Sequence, residues 1–112
     1  MYLYVELWNA KQAWKDLSKE ERAKYAELCG GAIQNVLASG DVEILGWGIN
    51  DPDTDHRAGY DYIGVWKFKN KEALQSFEGL VTQAGWHNYF EQISAASPMM
   101  APPDVMGHSV NI

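Results

Sequence analysis

The run Tyr2-Leu3-Tyr4-Val5-Glu6-Leu7-Trp8 decides the fold. Side chains alternate across a strand, so Leu3, Val5 and Leu7 share one face and Tyr2, Tyr4, Glu6 and Trp8 the other. Both faces are largely apolar, and neither is built to meet water. Tyr60–Phe68 repeats the pattern, with Ile63 and Val65 on one side and Tyr60, Tyr62, Trp66 and Phe68 on the other. Two strands of this kind belong in the middle of a sheet that is covered twice.

Helices supply one cover. Ser18-Lys19-Glu20-Glu21 is a capping box, and Tyr25, Leu28, Cys29, Ala32, Ile33, Val36 and Leu37 follow at helical spacing until Gly40. Gly30-Gly31 inside that helix reads first as close helix–sheet packing, and otherwise as room for a ligand. Val42–Asn50 reads as a strand, and the polar stretch Asp51–Gly59 as the hairpin loop leading to Tyr60–Phe68. Asn70 caps a second helix carrying Leu74, Phe77, Leu80, Val81 and Ala84. Past Gly85, the residues Trp86, Tyr89, Phe90 and Ile93 continue the helical spacing. Ser94–Asp104, with Pro98, Pro102 and Pro103, reads as loop, and Met106–Ile112 as the last strand. The order is β-α-β-β-α-β, the ferredoxin-like α+β class: a four-stranded antiparallel sheet with two helices on one face. The other face is left bare. A large exposed apolar face is rare on a monomer, and a second copy laying its own sheet there is the economical cover.

Size and charge agree with one soluble domain over residues 1–112. The chain has 46% hydrophobic and 21% charged residues, which excludes a disordered chain. Five tryptophans and six tyrosines are many for so small an interior, so they line a cavity or face a partner. The net charge of −6 argues against nucleic acid. No run approaches the roughly 20 apolar residues of a membrane span. The first residues lack the basic region and cleavage site of a signal peptide. Cys29 has no partner for an internal disulfide. A cytoplasmic protein is expected, with no membrane partner.

The run Ile63-Gly64-Val65-Trp66-Lys67-Phe68-Lys69-Asn70-Lys71-Glu72-Ala73-Leu74, the two-sided strands and the aromatic segment Gly85-Trp86-His87-Asn88-Tyr89-Phe90 resemble the dimeric α/β-barrel superfamily. That superfamily includes antibiotic-biosynthesis monooxygenases, haem-degrading monooxygenases and polyketide cyclases. The resemblance spans the whole chain and implies a homodimer whose sheets pair into a barrel, with a pocket between sheet and helices in each subunit. It also implies a small hydrophobic or aromatic ligand and chemistry of the cofactor-free monooxygenase or cyclase kind. A non-catalytic ligand-binding or accessory homodimer is the alternative.

Within that frame Glu6 is the first catalytic candidate. A carboxyl among aromatics is desolvated, its pKa rises, and it can act as a base near neutral pH; the plainer reading is a structural hydrogen bond to a tyrosine or to the partner. The resemblance to cyclases suggests His87 working with a tyrosine such as Tyr62 or Tyr4. Tyr4, Trp8, Trp66 and Trp86 are expected to line the ligand space, and His108 to share a face with the aromatic strands. Trp66 resembles the tryptophan of haem-degrading members. Those also carry an asparagine in the first strand and a histidine soon after the tryptophan. Here that strand offers Glu6 or Trp8, and His87 lies too far along, so no haem or other cofactor is expected. Asp51, Asp53 and Asp55 begin like a calcium loop, but His56 and Tyr62 occupy the positions that need glycine and glutamate, so no metal is expected. Glycines 46, 48 and 64 mark close approach by an aromatic ring of the same sheet or by a flat ligand. With Asn50 opposite Tyr60, Gly46 would face Gly64 and Gly48 would face Tyr62.

Overall fold

A computed structural model describes residues 1–112. In chain order its elements are β1 (Tyr2–Ala10), α1 (Gln12–Lys15), α2 (Lys19–Ala38), β2 (Val42–Ile49), β3 (Tyr62–Phe68), α3 (Lys71–Gln83), α4 (Trp86–Tyr89), β4 (Phe90–Pro98) and α5 (Pro102–Val110). The sheet is four-stranded and antiparallel in the order β2-β3-β1-β4. The ferredoxin-like α+β class is therefore observed. Local signals set the helices as expected. Ser18 and Glu21 exchange both capping-box hydrogen bonds, Gly40 ends α2 at φ +79°, and the Asn70 side chain accepts from the Ala73 amide.

The last quarter of the chain differs from the sequence reading. Phe90–Pro98 is not the end of a helix followed by loop but the fourth strand, and Met106–Ile112 contains no strand. Gly85, at φ +77°, breaks the helix. From Phe90 onward a nine-residue ladder with β1, from Ala10↔Phe90 to Tyr2↔Pro98, satisfies the backbone. Pro98 ends this edge strand, where its missing N–H costs nothing. Pro102 and Pro103 open α5, because proline's fixed φ suits a first helical turn.

A bulge between Ile44 and Gly46 also shifts β2 against β3 by one residue. Gly46 faces Val65, Trp47 faces Gly64 and Gly48 faces Ile63. A one-residue slip turns every following side chain to the opposite face. It brings Trp47 to the helix side, beside Glu6, whose own partner on β3 is Gly64.

The core is a band of aromatics between the sheet and α3: Tyr4, Trp66, Phe68, Leu74 and Phe77. Trp66 and Phe68 are wholly enclosed. By contrast α2 buries none of its 20 residues, and Leu28 on it is 63% exposed. Only Ile33 and Val36 of α2 pack against the core cluster. Nothing approaches a Cβ built on Gly30 or Gly31, so close helix–sheet packing is not their reason; α2 stands off the sheet there. On the opposite face Val5 lies between Val65 and Ala95, Leu7 between Ile63 and Ile93, and Leu3 between Lys67 and Ser97, and no element of the chain covers them. The radius of gyration is 16.0 Å, against about 13 Å for a compact chain of this length. In α5 every residue but Gly107 is exposed.

Candidate functional site

The standing-off of α2 leaves two adjoining cavities above the helix side of the sheet. The larger, about 550 Å³, is walled by Trp8, Trp47, Tyr62, Trp86 and Phe90, with Cys29, Gly30 and Ile33 of α2 above. The second, about 360 Å³, runs toward α3, with Glu6 and Trp66 on its floor and Leu28, Val36, Leu80 and Val81 at its sides. Cys29, Ile33, Trp47 and Trp86 border both. These volumes fit small organic ligands.

Glu6 reaches this space because β1 alternates. Tyr4, Glu6 and Trp8 all turn to the helix side, and Glu6 is 4% exposed. Its Oε1 accepts a 2.9 Å hydrogen bond from Trp66 Nε1, so the structural partner is a tryptophan rather than a tyrosine. Burial among indoles raises its pKa from 4.5 to about 7; the Trp66 N–H and, after it, the Gln92 amide work in the lowering direction but do not offset the desolvation. Gln92 itself donates to Tyr4 Oη and Ser94 Oγ and accepts from Trp86 Nε1, tying β4, β1 and α4 together beside the carboxyl.

Gly64 makes the arrangement fit. A Cβ there would lie 2.9 Å from Glu6 Oε1, 3.0 Å from Trp47 Nε1 and 3.2 Å from Glu6 Cγ. The close approach by a ring of the same sheet thus holds at Gly64, though not at Gly46 or Gly48. Glu6 cannot swing aside without giving up its bond to Trp66. Gly64→Ala is therefore expected to cost about 1–3 kcal/mol of stability, read as a lower urea midpoint at unchanged slope, and to displace the carboxyl.

The indoles form a connected wall. Trp8 meets Trp47 edge-on at 5.1 Å and Trp86 at 5.8 Å, and Tyr62 stacks on it at 5.7 Å. A further aromatic cluster of Trp14, Tyr25, Tyr89 and Phe90 closes the far end of the larger cavity. There the Tyr25 hydroxyl donates to the Ala84 carbonyl at 2.6 Å, and burial pushes its pKa up.

Of the residues expected from sequence, Glu6, Trp8, Tyr62, Trp66 and Trp86 border the two cavities. Three do not. Tyr4 is packed in the core against Phe68 and Phe77, with its hydroxyl hydrogen-bonded to Ser94 at 3.0 Å, and burial raises its pKa. His87 is exposed on α4, where its carbonyl accepts from Lys11 Nζ, because the break at Gly85 turns it outward. His108 is exposed on α5 rather than on a strand. Sequence reasoning missed Trp47, Cys29 and Ile33, and gave room for a ligand only as the second reading of Gly30-Gly31. The signals were Trp47 between two strand glycines and a glycine pair in an otherwise good helix. No group of three or more histidine, cysteine or acidic residues is placed to hold a metal ion. No helix is long and apolar enough to cross a membrane.

Comparison with solved structures places the fold. Chlorite dismutase from Candidatus Nitrospira defluvii superposes in one mutant with a TM-score of 0.71 at 16% identity, over 95% of this chain and 42% of that one. A second mutant of the same enzyme gives 0.71 and 16%, over 98% and 45%. The protein At3g17210 from Arabidopsis thaliana gives a TM-score of 0.60 at 18% identity, over 90% of this chain and 97% of that one. The chain thus spans less than half the length of the chlorite dismutase chains it matches. No curated protein matches it. The profile of a family of unknown function, DUF6616, matches from residue 1 to residue 112, and the chain belongs to that family.

Proposed function

We propose that this protein is a cytoplasmic homodimer binding a small hydrophobic, aromatic molecule between α2 and the sheet, where Glu6 takes up a proton from it. The observation that carries this reading is a carboxyl with a pKa of about 7 on the floor of an apolar, indole-lined cavity. A base is most effective when its pKa lies near the working pH. Tyr62, bordering the adjoining larger cavity, is the second polar candidate. Removing a proton from an activated ring position would leave an electron-rich anion shielded from water, the starting point for cofactor-free oxygenation or ring closure. The partner copy would cover the bare sheet face and leave each pocket on its own helix side. A non-catalytic carrier is the second reading, favoured by the Glu6–Trp66 hydrogen bond, which gives the carboxyl a structural partner.

Two measurements test this. Titration with 2-naphthol, followed by quenching of tryptophan emission, is expected to saturate; no saturable quenching overturns the pocket. With 1,8-dihydroxyanthrone, oxygen uptake is expected to fall roughly 100-fold or more in Glu6→Gln while 2-naphthol binding changes little. Binding without any uptake in the unaltered protein selects the carrier.

A further inference from the structure

We infer that the ligand of this site carries a positive charge: a small organic cation, an amine or quaternary ammonium head seated among Trp8, Trp47 and Trp86 with Glu6 as its counter-ion. The inference names the ligand class of the pocket proposed above. It rests on that pocket being a binding site and is independent of the proton-transfer step.

Three observations point the same way. The first is ring geometry. Trp47 and Trp86 stand at 64° and 68° to Trp8, with centroids 5.1 and 5.8 Å from it, and all three border the larger cavity. Rings packed edge to face in this way cannot all turn the same side to the cavity, so the wall that they form offers it ring faces as well as N–H edges. The negative face of each ring attracts a cation within about 6 Å of its centroid. The second is charge. Among all residues bordering the two cavities Glu6 is the only acidic one, and no lysine, arginine or histidine is present. A carboxylate or phosphate on the ligand would find no partner here and would meet Glu6; an ammonium finds one. The third is position. Glu6 Oε1 and Trp47 Nε1 both lie within about 3 Å of where a Gly64 Cβ would be, so carboxyl and indole wall meet on one spot. The chain's net charge of −6 also favours the approach of cations.

Binding should then follow the charge of Glu6. The groups around it are Tyr4 of its own strand, Trp66 of β3, Trp47 of β2, Gln92 and Ser94 of β4, Gln83 of α3, Cys29 of α2 and Trp86 of α4. Glu78 on α3 lies beyond Tyr4. Burial raises both Tyr4 and Cys29, so neither gains charge below pH 8. With Glu6 at about 7, affinity for a cation rises with pH up to that point and levels off above it.

The test uses the intact protein at fixed ionic strength, with tryptophan emission as readout and three probes: choline, its neutral isostere 3,3-dimethylbutan-1-ol, and 2-naphthol. At pH 8 choline is expected to bind at least about tenfold more tightly than the alcohol. Below pH 6 its affinity should fall about tenfold per pH unit. Glu6→Gln should abolish both the preference and the pH dependence. Trp47 is 45% exposed on an edge strand, so Trp47→Leu leaves the fold intact and should weaken choline several-fold more than the alcohol. Equal binding of choline and the alcohol, or a preference that survives in Glu6→Gln, overturns the inference. Saturation by 2-naphthol without choline binding sinks the cation alone and leaves the pocket standing. Binding of none of the three removes both.

Discussion

Val5→Glu is expected to convert the protein from a species of twice 12.6 kDa to one of 12.6 kDa in sedimentation at micromolar concentration. Val5 lies at the centre of the bare face, opposite Val65 on one side and Ala95 on the other. Within one subunit it is only half-buried, so a glutamate there can reach water and the monomer keeps its fold. In the proposed sheet-to-sheet dimer the same carboxylate is trapped in an apolar interface, near its two-fold copy. An unpaired buried charge and a like-charge pair each cost several kcal/mol, so dimer affinity should drop at least about 100-fold. Circular dichroism checks that the sheet survives. The physical reason to expect pairing is that only nine of 112 residues are buried, so the chain's aromatic core is small for its length. A stable, well-folded monomer of the unaltered chain at micromolar concentration would remove the dimer from the proposed function. It would leave the cavities, which belong to one subunit.

The centre of the sheet was legible because period-2 alternation is unambiguous when both parities are filled. Leu3, Val5 and Leu7 against Tyr4, Glu6 and Trp8 admit no helical reading, and the same alternation places Glu6 on the aromatic side. The caps at Ser18 and Asn70 were legible because each rests on one local hydrogen bond. The C-terminal quarter was not. Trp86, Tyr89, Phe90 and Ile93 fit the helical period, yet Phe90 and Ile93 belong to a strand whose ladder partner lies some 80 residues away. Long-range pairing overrode a local pattern. Proline was misread because it both breaks chains and starts helices, and Pro102 does the second. The bulge before Gly46 has no clear sequence signature, so the side of the sheet that Trp47 takes was hidden. With it went the recognition that Glu6, Gly64 and Trp47 form one row across three strands. His87 and His108 were attractive as residue types, but type alone does not aim a side chain.

Glu6→Gln is expected to stabilise the fold at pH 8 and to leave it unchanged at pH 4. The folded-state pKa of Glu6 is raised, from 4.5 to about 7. Its contribution is therefore fully present below pH 4.5, where the carboxyl is protonated in both states, and is lost as pH rises to about 7. Above that, the folded protein holds a carboxylate that burial disfavours. At about 1.4 kcal/mol per pH unit the loss amounts to roughly 3 kcal/mol, and a glutamine of the same shape escapes it. Its side-chain carbonyl can still accept the Trp66 N–H. For a domain of this size that difference corresponds to a melting temperature higher by on the order of 10 °C at pH 8. The unaltered protein and the variant should converge as pH falls through the window from 7 to 4.5. Tyr4 and Cys29, both raised by burial, titrate above this window and do not blur it. A difference that stays flat between pH 4 and 8 would show that the carboxyl is not desolvated, and both the base and the counter-ion roles would fall with it. A convergent pair of curves means that the chain keeps an ionisable group where an amide would hold the fold better. Such a stability cost is the mark of a residue placed for binding or chemistry.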